Sequence, residues 1–164
     1  MEILVLILLS TTIFCFGIIL NWYLQRRDER RKHVEKFLEN FNKTGLVIIP
    51  LYQDNKKYNF VVDSGSTCNI IDEKTAKKLK INYFETNETT SSTIDGVTTN
   101  NKKIANITLE RKKEFFIEDF LVFDMTEQFA VIKEECGEKI AGILGANFLS
   151  HYSKIIDFKN YIVA

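Results

Sequence analysis

Phe60-Val61-Val62-Asp63-Ser64-Gly65-Ser66-Thr67-Cys68-Asn69-Ile70-Ile71 decides how this chain is read. An apolar, β-rich run stops at an aspartate, passes through a short polar turn and resumes as an apolar run. A strand interior excludes a lone carboxylate, because burying a charge without a partner is heavily penalised. The next residues supply a remedy. Gly65 lets the backbone turn closely enough for amide N–H groups to face Asp63, and the hydroxyls of Ser64 and Ser66 are further potential donors. Asp-Ser-Gly also makes ordinary turns in unrelated proteins, so the surrounding chain has to decide its meaning.

That context is Ile140-Ala141-Gly142-Ile143-Leu144-Gly145-Ala146-Asn147-Phe148-Leu149, followed by Ile155-Ile156-Asp157-Phe158. An apolar strand with two glycines leads into a short helix over about 146–151 and then a closing strand. In this order the two stretches resemble the retropepsin-like aspartic proteases, single-lobe relatives of pepsin. The resemblance covers roughly Leu46 to Val163. It implies an all-β fold, a closed barrel or sandwich with short helices.

It also implies roles. Asp63 would be the catalytic acid and base, Ser64 and Gly65 would brace the pair of carboxylates, and Ser66 would donate to the ionised one. Ile143 and Leu144 would line the base of the site. A hairpin lies between the two motifs in such proteins and closes over the substrate; here Thr93-Ile94-Asp95-Gly96-Val97-Thr98 carries an Asp-Gly turn between β-formers. Ile94, Asp95, Gly96 and Val97 are therefore the expected flap tip. One departure is that Gly145 is followed by Ala146-Asn147, where many retropepsin-like sequences carry Gly-Met-Asp or Gly-Arg. Asp95 at the flap is a second, since it sets a charge over a carboxylate site.

Taken in order, the chain divides into residues 1–24, 25–43 and 44–164. Ile3 to Tyr23 is nearly continuous apolar sequence, and a helix needs ~20 such residues to cross a bilayer. The expectation is a transmembrane anchor rather than a cleaved leader, since Met1-Glu2 carries no basic start. Arg26, Arg27, Arg30, Arg31 and Lys32 follow directly. By the positive-inside bias the folded domain of a single-pass membrane protein would then face the cytoplasm. Residues 25–43 read as an amphipathic helical stalk with Val34, Phe37, Leu38 and Phe41 on one side. That stripe would lie on the membrane, pair with a second copy or pack on the domain.

Within 44–164, Leu46 to Tyr52 and Lys57 to Val62 flank a hairpin signal at Gln53-Asp54-Asn55-Lys56, and Pro50 marks an edge or bulged strand. Asp72 is placed to cap a short helix through about Leu79. Ile104 to Leu109 and Phe115 to Phe123 read as strands joined by a charged turn. Thr126 to Lys139 is mixed and acidic and reads as a solvated loop.

Composition narrows the function classes. There are 22 basic and 22 acidic residues, so whole-chain charge makes no case for nucleic-acid binding. The three cysteines, Cys15, Cys68 and Cys136, are isolated and give neither a disulfide framework nor a metal spacing. His33 and His151 are the two histidines and read as solvated, which leaves Cys-His and Ser-His-Asp sites without support. No metal or cofactor is implied.

Hydrolysing a peptide with neither metal nor covalent nucleophile takes two carboxyl groups at one water, one ionised and one protonated. The chain offers one Asp-Ser-Gly; Asp54, Asp72, Asp95, Asp119, Asp124 and Asp157 lack the following Ser/Thr-Gly. The expectation is an aspartic endopeptidase acting as a homodimer on a peptide or protein substrate, with Asp63 from each copy at the twofold axis. The alternative is a non-catalytic member of the same fold that dimerises or binds peptides. An exposed, unpaired Asp63 would point instead to a chance tripeptide.

Overall fold

The computed structural model describes residues 2–86 and 102–163. Strand β1 (Val47–Gln53) turns back into β2 (Lys56–Val62) through Asp54 and Asn55, whose φ angles of 49° and 60° are left-handed. Asp and Asn tolerate that region better than other side chains, and such a turn matches the twist of a hairpin. Pro50 sits opposite Asn59, and the outer edge of β1 is paired only where Tyr52 meets Glu110, so its missing N–H costs little.

Next come β3 (Asn69–Asp72), α2 (Glu73–Lys78) and β4 (Tyr83–Thr86). Asp72 caps α2 as expected, its Oδ2 accepting from the Thr75 amide at 3.2 Å. The long hairpin β5 (Lys102–Arg111) and β6 (Glu114–Phe123) turns at Lys112 and Lys113, again with positive φ. After it lie α3 (Thr126–Cys136), β7 (Ile140–Leu144), α4 (Ala146–His151), β8 (Ile156–Asp157) and β9 (Ile162–Val163).

The seven-stranded sheet runs β1-β2-β7-β3-β6-β5-β4, and β1 also pairs with β5, closing a barrel with β4 on its outside. Period-2 alternation makes that closure possible. Along β6, Phe116, Phe120 and Val122 point inward with Glu118, while Phe115 and Ile117 point outward. The interior is filled by Leu51, Phe60, Ile71, Phe116, Phe120, Leu144 and Phe148; each such side chain contributes roughly 1.5–3 kcal/mol by leaving water.

Two expectations change. Thr126 to Lys139 is not a loop, because its first eleven residues form α3. The Asp124 carboxylate accepts from the Thr126 amide at its start, and Gly137 (φ 76°) ends it in the left-handed region. Phe129, Ile132 and Cys136 recur at helical spacing and pack on Ile48, Val61 and Ile140. The heavy charge of the segment hid that stripe.

The second change concerns the N-terminus. α1 (Glu2–Thr44) is one continuous helix through the expected anchor and stalk, ending at Gly45. Among the described residues no helix is long and apolar enough to cross a membrane, which overturns the expected anchor over residues 3–23 and with it the single-pass localisation. The apolar run is interrupted by Ser10-Thr11-Thr12 and ends at Leu24, before the charged residues that begin at Arg26. Arg26 turns back over the Trp22 ring at 5.0 Å. The stalk stripe packs on the domain. Phe37 is only 4% exposed and meets Tyr161 and Phe158, and Lys36 reaches Glu138 at 3.0 Å.

Candidate active site

The Asp63 turn forms where β2 has to cross the end of β7. β7 lies between its partners, parallel to β2 and antiparallel to β3, so the chain leaving β2 must pass over β7 to become β3. Asp63 makes the last rung, its amide donating to the Leu144 carbonyl at 3.0 Å. The Ser66 amide then donates to the Asp63 carbonyl at 3.2 Å, closing a tight turn. Inside that turn the Gly65 amide donates to Asp63 Oδ1 at 2.9 Å. A Cβ on Gly65 would stand 3.2 Å from that oxygen, so glycine gives the carboxylate its closest approach. Asp63, Ser64 and Gly65 are all exposed.

The opposite wall is the segment from Ile143 to Ala146. The Ala146 amide donates to the Ser66 carbonyl at 2.7 Å. Gly145 lies flat against the turn. A Cβ there would come within 2.5 Å of the Cys68 carbonyl oxygen and 2.7 Å of the Ser66 carbonyl oxygen. Gly142 is equally confined, with Ile70 O at 2.2 Å from its ideal Cβ position. Gly142 therefore lets β7 press between β2 and β3, and Gly145 lets its exit press against the Asp63 loop. Leu144 is fully buried in the barrel core, while Ile143 is half-buried on the other face, near Val61 and α3.

The expected residues thus fall into place unevenly. Asp63, Ser64, Gly65 and Ser66 share one turn, and Ile143 and Leu144 lie beside it. The Ser66 hydroxyl donates to the Cys68 carbonyl at 2.8 Å instead of to the carboxylate, so its contribution is to the loop. Ile94, Asp95, Gly96 and Val97 lie outside the described residues. β4 and β5, the strands on either side of that segment, pair as far as Thr86 and Lys102.

A buried polar group beneath the loop has no local signal in the sequence. Asn69, 2% exposed, accepts from the Gly145 amide through Oδ1 at 2.9 Å and donates through Nδ2 to Glu118 Oε2 at 3.0 Å. Glu118, itself buried, meets His151 Nδ1 at 2.8 Å. His151 is therefore not simply solvated: its ring is 62% exposed, yet one nitrogen is engaged. The partners lie 76, 49 and 33 residues apart along the chain, so neither spacing nor periodicity could have paired them.

Comparison with known proteins bears on the same residues. Among solved structures the chain is similar to the EIAV protease in complex with the inhibitor HBY-793, at 15% identity and a TM-score of 0.47 over 65% of this chain and 86% of that one. It is also similar to the retroviral protease-like domain of Ddi1 from Leishmania major, at 12% identity and a TM-score of 0.46 over 73% and 85%. No curated protein sequence matches. The family model described as "Aspartyl protease" matches residues 49–148, a stretch that opens in β1, takes in the whole Asp63 turn and closes inside α4. With more than half its length under that model and an aspartate turn built between β2 and β7, this chain belongs to the aspartyl protease family.

Proposed function

We propose that the chain is an aspartic endopeptidase that works as a homodimer, with the Asp63 carboxylates of two copies holding one water between them. The observation that carries this reading is the Asp63 carboxylate, exposed yet paired with the Gly65 amide, unlike the unpaired aspartate of a chance tripeptide, on a turn braced by Leu144 and Ala146. A rigid turn holding an uncovered carboxylate is half of a two-carboxylate site. One carboxylate can take a proton from water, but a second group has to protonate or polarise the scissile carbonyl at the same moment. No other aspartate in the chain is followed by Ser/Thr-Gly, so the second comes from a second copy. Twofold symmetry then sets like against like.

Two carboxylates that close cannot both ionise cheaply. They share a proton and titrate as a pair, which gives an activity optimum in the acidic to near-neutral range. Ser64 and Gly65 flank the axis, Ser66 braces the turn through Cys68, and Ile143 and Leu144 floor the site. Ile94 to Val97 cover an extended peptide substrate by strand addition.

The test is cleavage of a diverse peptide library by the full chain beside Asp63→Asn, at rising protein concentration. The full chain is needed because Phe37 and Phe41 of α1 pack with the domain core. The expected result is cleavage that grows with the dimer fraction and falls about 10²–10⁴-fold in the variant. Dimers that cleave nothing across acid and neutral pH would instead make this a peptide-binding or dimerising member of the family.

A further inference from the structure

We propose that His151, Glu118 and Asn69 form a positioning chain that sets the Asp63 loop, with the charge on His151 as its control point. This deepens the reading above, since it bears on catalysis only because it rests on Asp63 being the catalytic carboxylate. The chain starts at the surface, where His151 Nδ1 meets Glu118 Oε1 at 2.8 Å. It continues inside, from Glu118 Oε2 to Asn69 Nδ2 at 3.0 Å, and ends at the Gly145 amide 2.9 Å from Asn69 Oδ1.

Each link dictates the next. The Asn69 amide group can sit only one way round: Nδ2 faces the Glu118 carboxylate and the Asp119 carbonyl, while Oδ1 faces an N–H. Reversing it would set oxygen against oxygen and N–H against N–H. Gly145, so held, lies against Ser66 and Cys68 with no room for a side chain. Its neighbours Leu144 and Ala146 hold the two ends of the Asp63 turn. A shift of Asn69 therefore has to move the loop.

Glu118 is the sensitive member, because a carboxylate with 8% side-chain exposure needs its charge answered. On β5, the strand paired with β6, Lys103 reaches Glu73 and Arg111 donates to the Val163 carbonyl. β7 carries no charge, Asp72 of β3 is held by Thr75 and Met125, Asp119 is bonded to Asn106, and Glu114 is paired with Lys154. His151 alone reaches Glu118 from α4. As imidazolium it makes a charge-assisted bond; as neutral imidazole it still donates only in the tautomer that carries the proton on Nδ1. The loop is thus held most firmly when His151 is charged.

The experiment is an NMR titration of the full chain from about pH 5 to 8, following the His151 ring and the amides of Gly145, Gly65 and Ser66. We expect these amides to shift with the midpoint of the His151 ring. Both His151→Ala and Glu118→Gln should abolish that shared midpoint. His151 is exposed, so its variant keeps the test open should Glu118→Gln fail to fold. A Gly145 amide that stays still while His151 titrates, or that moves identically in His151→Ala, overturns the proposal. Peptide cleavage on the same samples separates the two readings. Coupled amides without cleavage uphold the positioning chain and remove the catalytic role; cleavage with uncoupled amides does the reverse.

Discussion

The Asp63 loop and the flank where α1 meets the β8–β9 hairpin are built by opposite means. Around the loop the chain comes together backbone to backbone, with Gly142 and Gly145 admitting contacts that no Cβ would allow and buried Asn69 satisfying an otherwise orphaned amide. Along the flank the contact is between side-chain rings. The rings of Phe37, Phe41, Phe158 and Tyr161 meet at centroid separations of 5.3 to 6.4 Å in stacked, tilted and edge-on pairs, and the contact is area more than direction. The hairpin itself is set by Asp157, whose carboxylate accepts from the Lys159 and Asn160 amides. Its strands β8 and β9 pair within one chain, Ile156 opposite Val163. Hydrogen-bonded precision is thus concentrated at the carboxylate, and adaptable aromatic packing at the periphery.

If that contrast is real, Gly145→Ala should cost more than any substitution along the flank. A methyl there meets two carbonyl oxygens that belong to the main chain and cannot rotate away. The expected loss is about 4 kcal/mol or more, most of the stability of a marginal domain. Thermal or denaturant unfolding of the variant beside Gly17→Ala, which has nothing within 4 Å, checks it. A well-folded Gly145→Ala protein would break the comparison.

Phe37→Ala should cost about 3 kcal/mol, as removal of a buried phenylalanine does, yet leave the loop intact. The measurement is a denaturant midpoint together with cleavage per folded molecule. A fall in the second as large as in the first would mean that the flank shapes the site after all.

The smallest expected effect belongs to His33 on α1. Burial first, then the charges of Arg111 and Lys112, push its imidazole below the ordinary value of 6.5. The folded state therefore favours the neutral ring. The stability tied to that preference is complete above 6.5 and is lost as pH falls below it, because the unfolded chain takes up the proton first. The melting temperature should fall between neutral and acid pH, and His33→Gln should remove the part of that fall which this ring contributes.

The same contrast explains what could be read from the chain. Alternation marked the strands, Asp54-Asn55 and Lys112-Lys113 marked their turns, and the Asp63 and Gly142–Gly145 motifs marked the loop and its wall, because each is encoded in adjacent residues. α3 was legible in the spacing of Phe129, Ile132 and Cys136, but its charged residues outweighed that stripe. The apolar stretch at the start of α1 suggested an anchor on composition alone, a reading that the described helix does not support. Whether the stripe at Phe37 and Phe41 meets a membrane, a second copy or its own domain depends on residues more than a hundred positions away. Asn69, Glu118 and His151 were illegible for the same reason, since only the closed barrel brings them together.

Central to all of this is a site shared between two copies. Wild-type chain and Asp63→Asn are mixed in varied ratio under conditions where copies exchange, at fixed total concentration, and cleavage is recorded. If both Asp63 carboxylates are needed, activity follows the square of the wild-type fraction, so an equal mixture retains about one quarter. Activity that falls in direct proportion to that fraction would mean that each copy acts alone and would contradict the account.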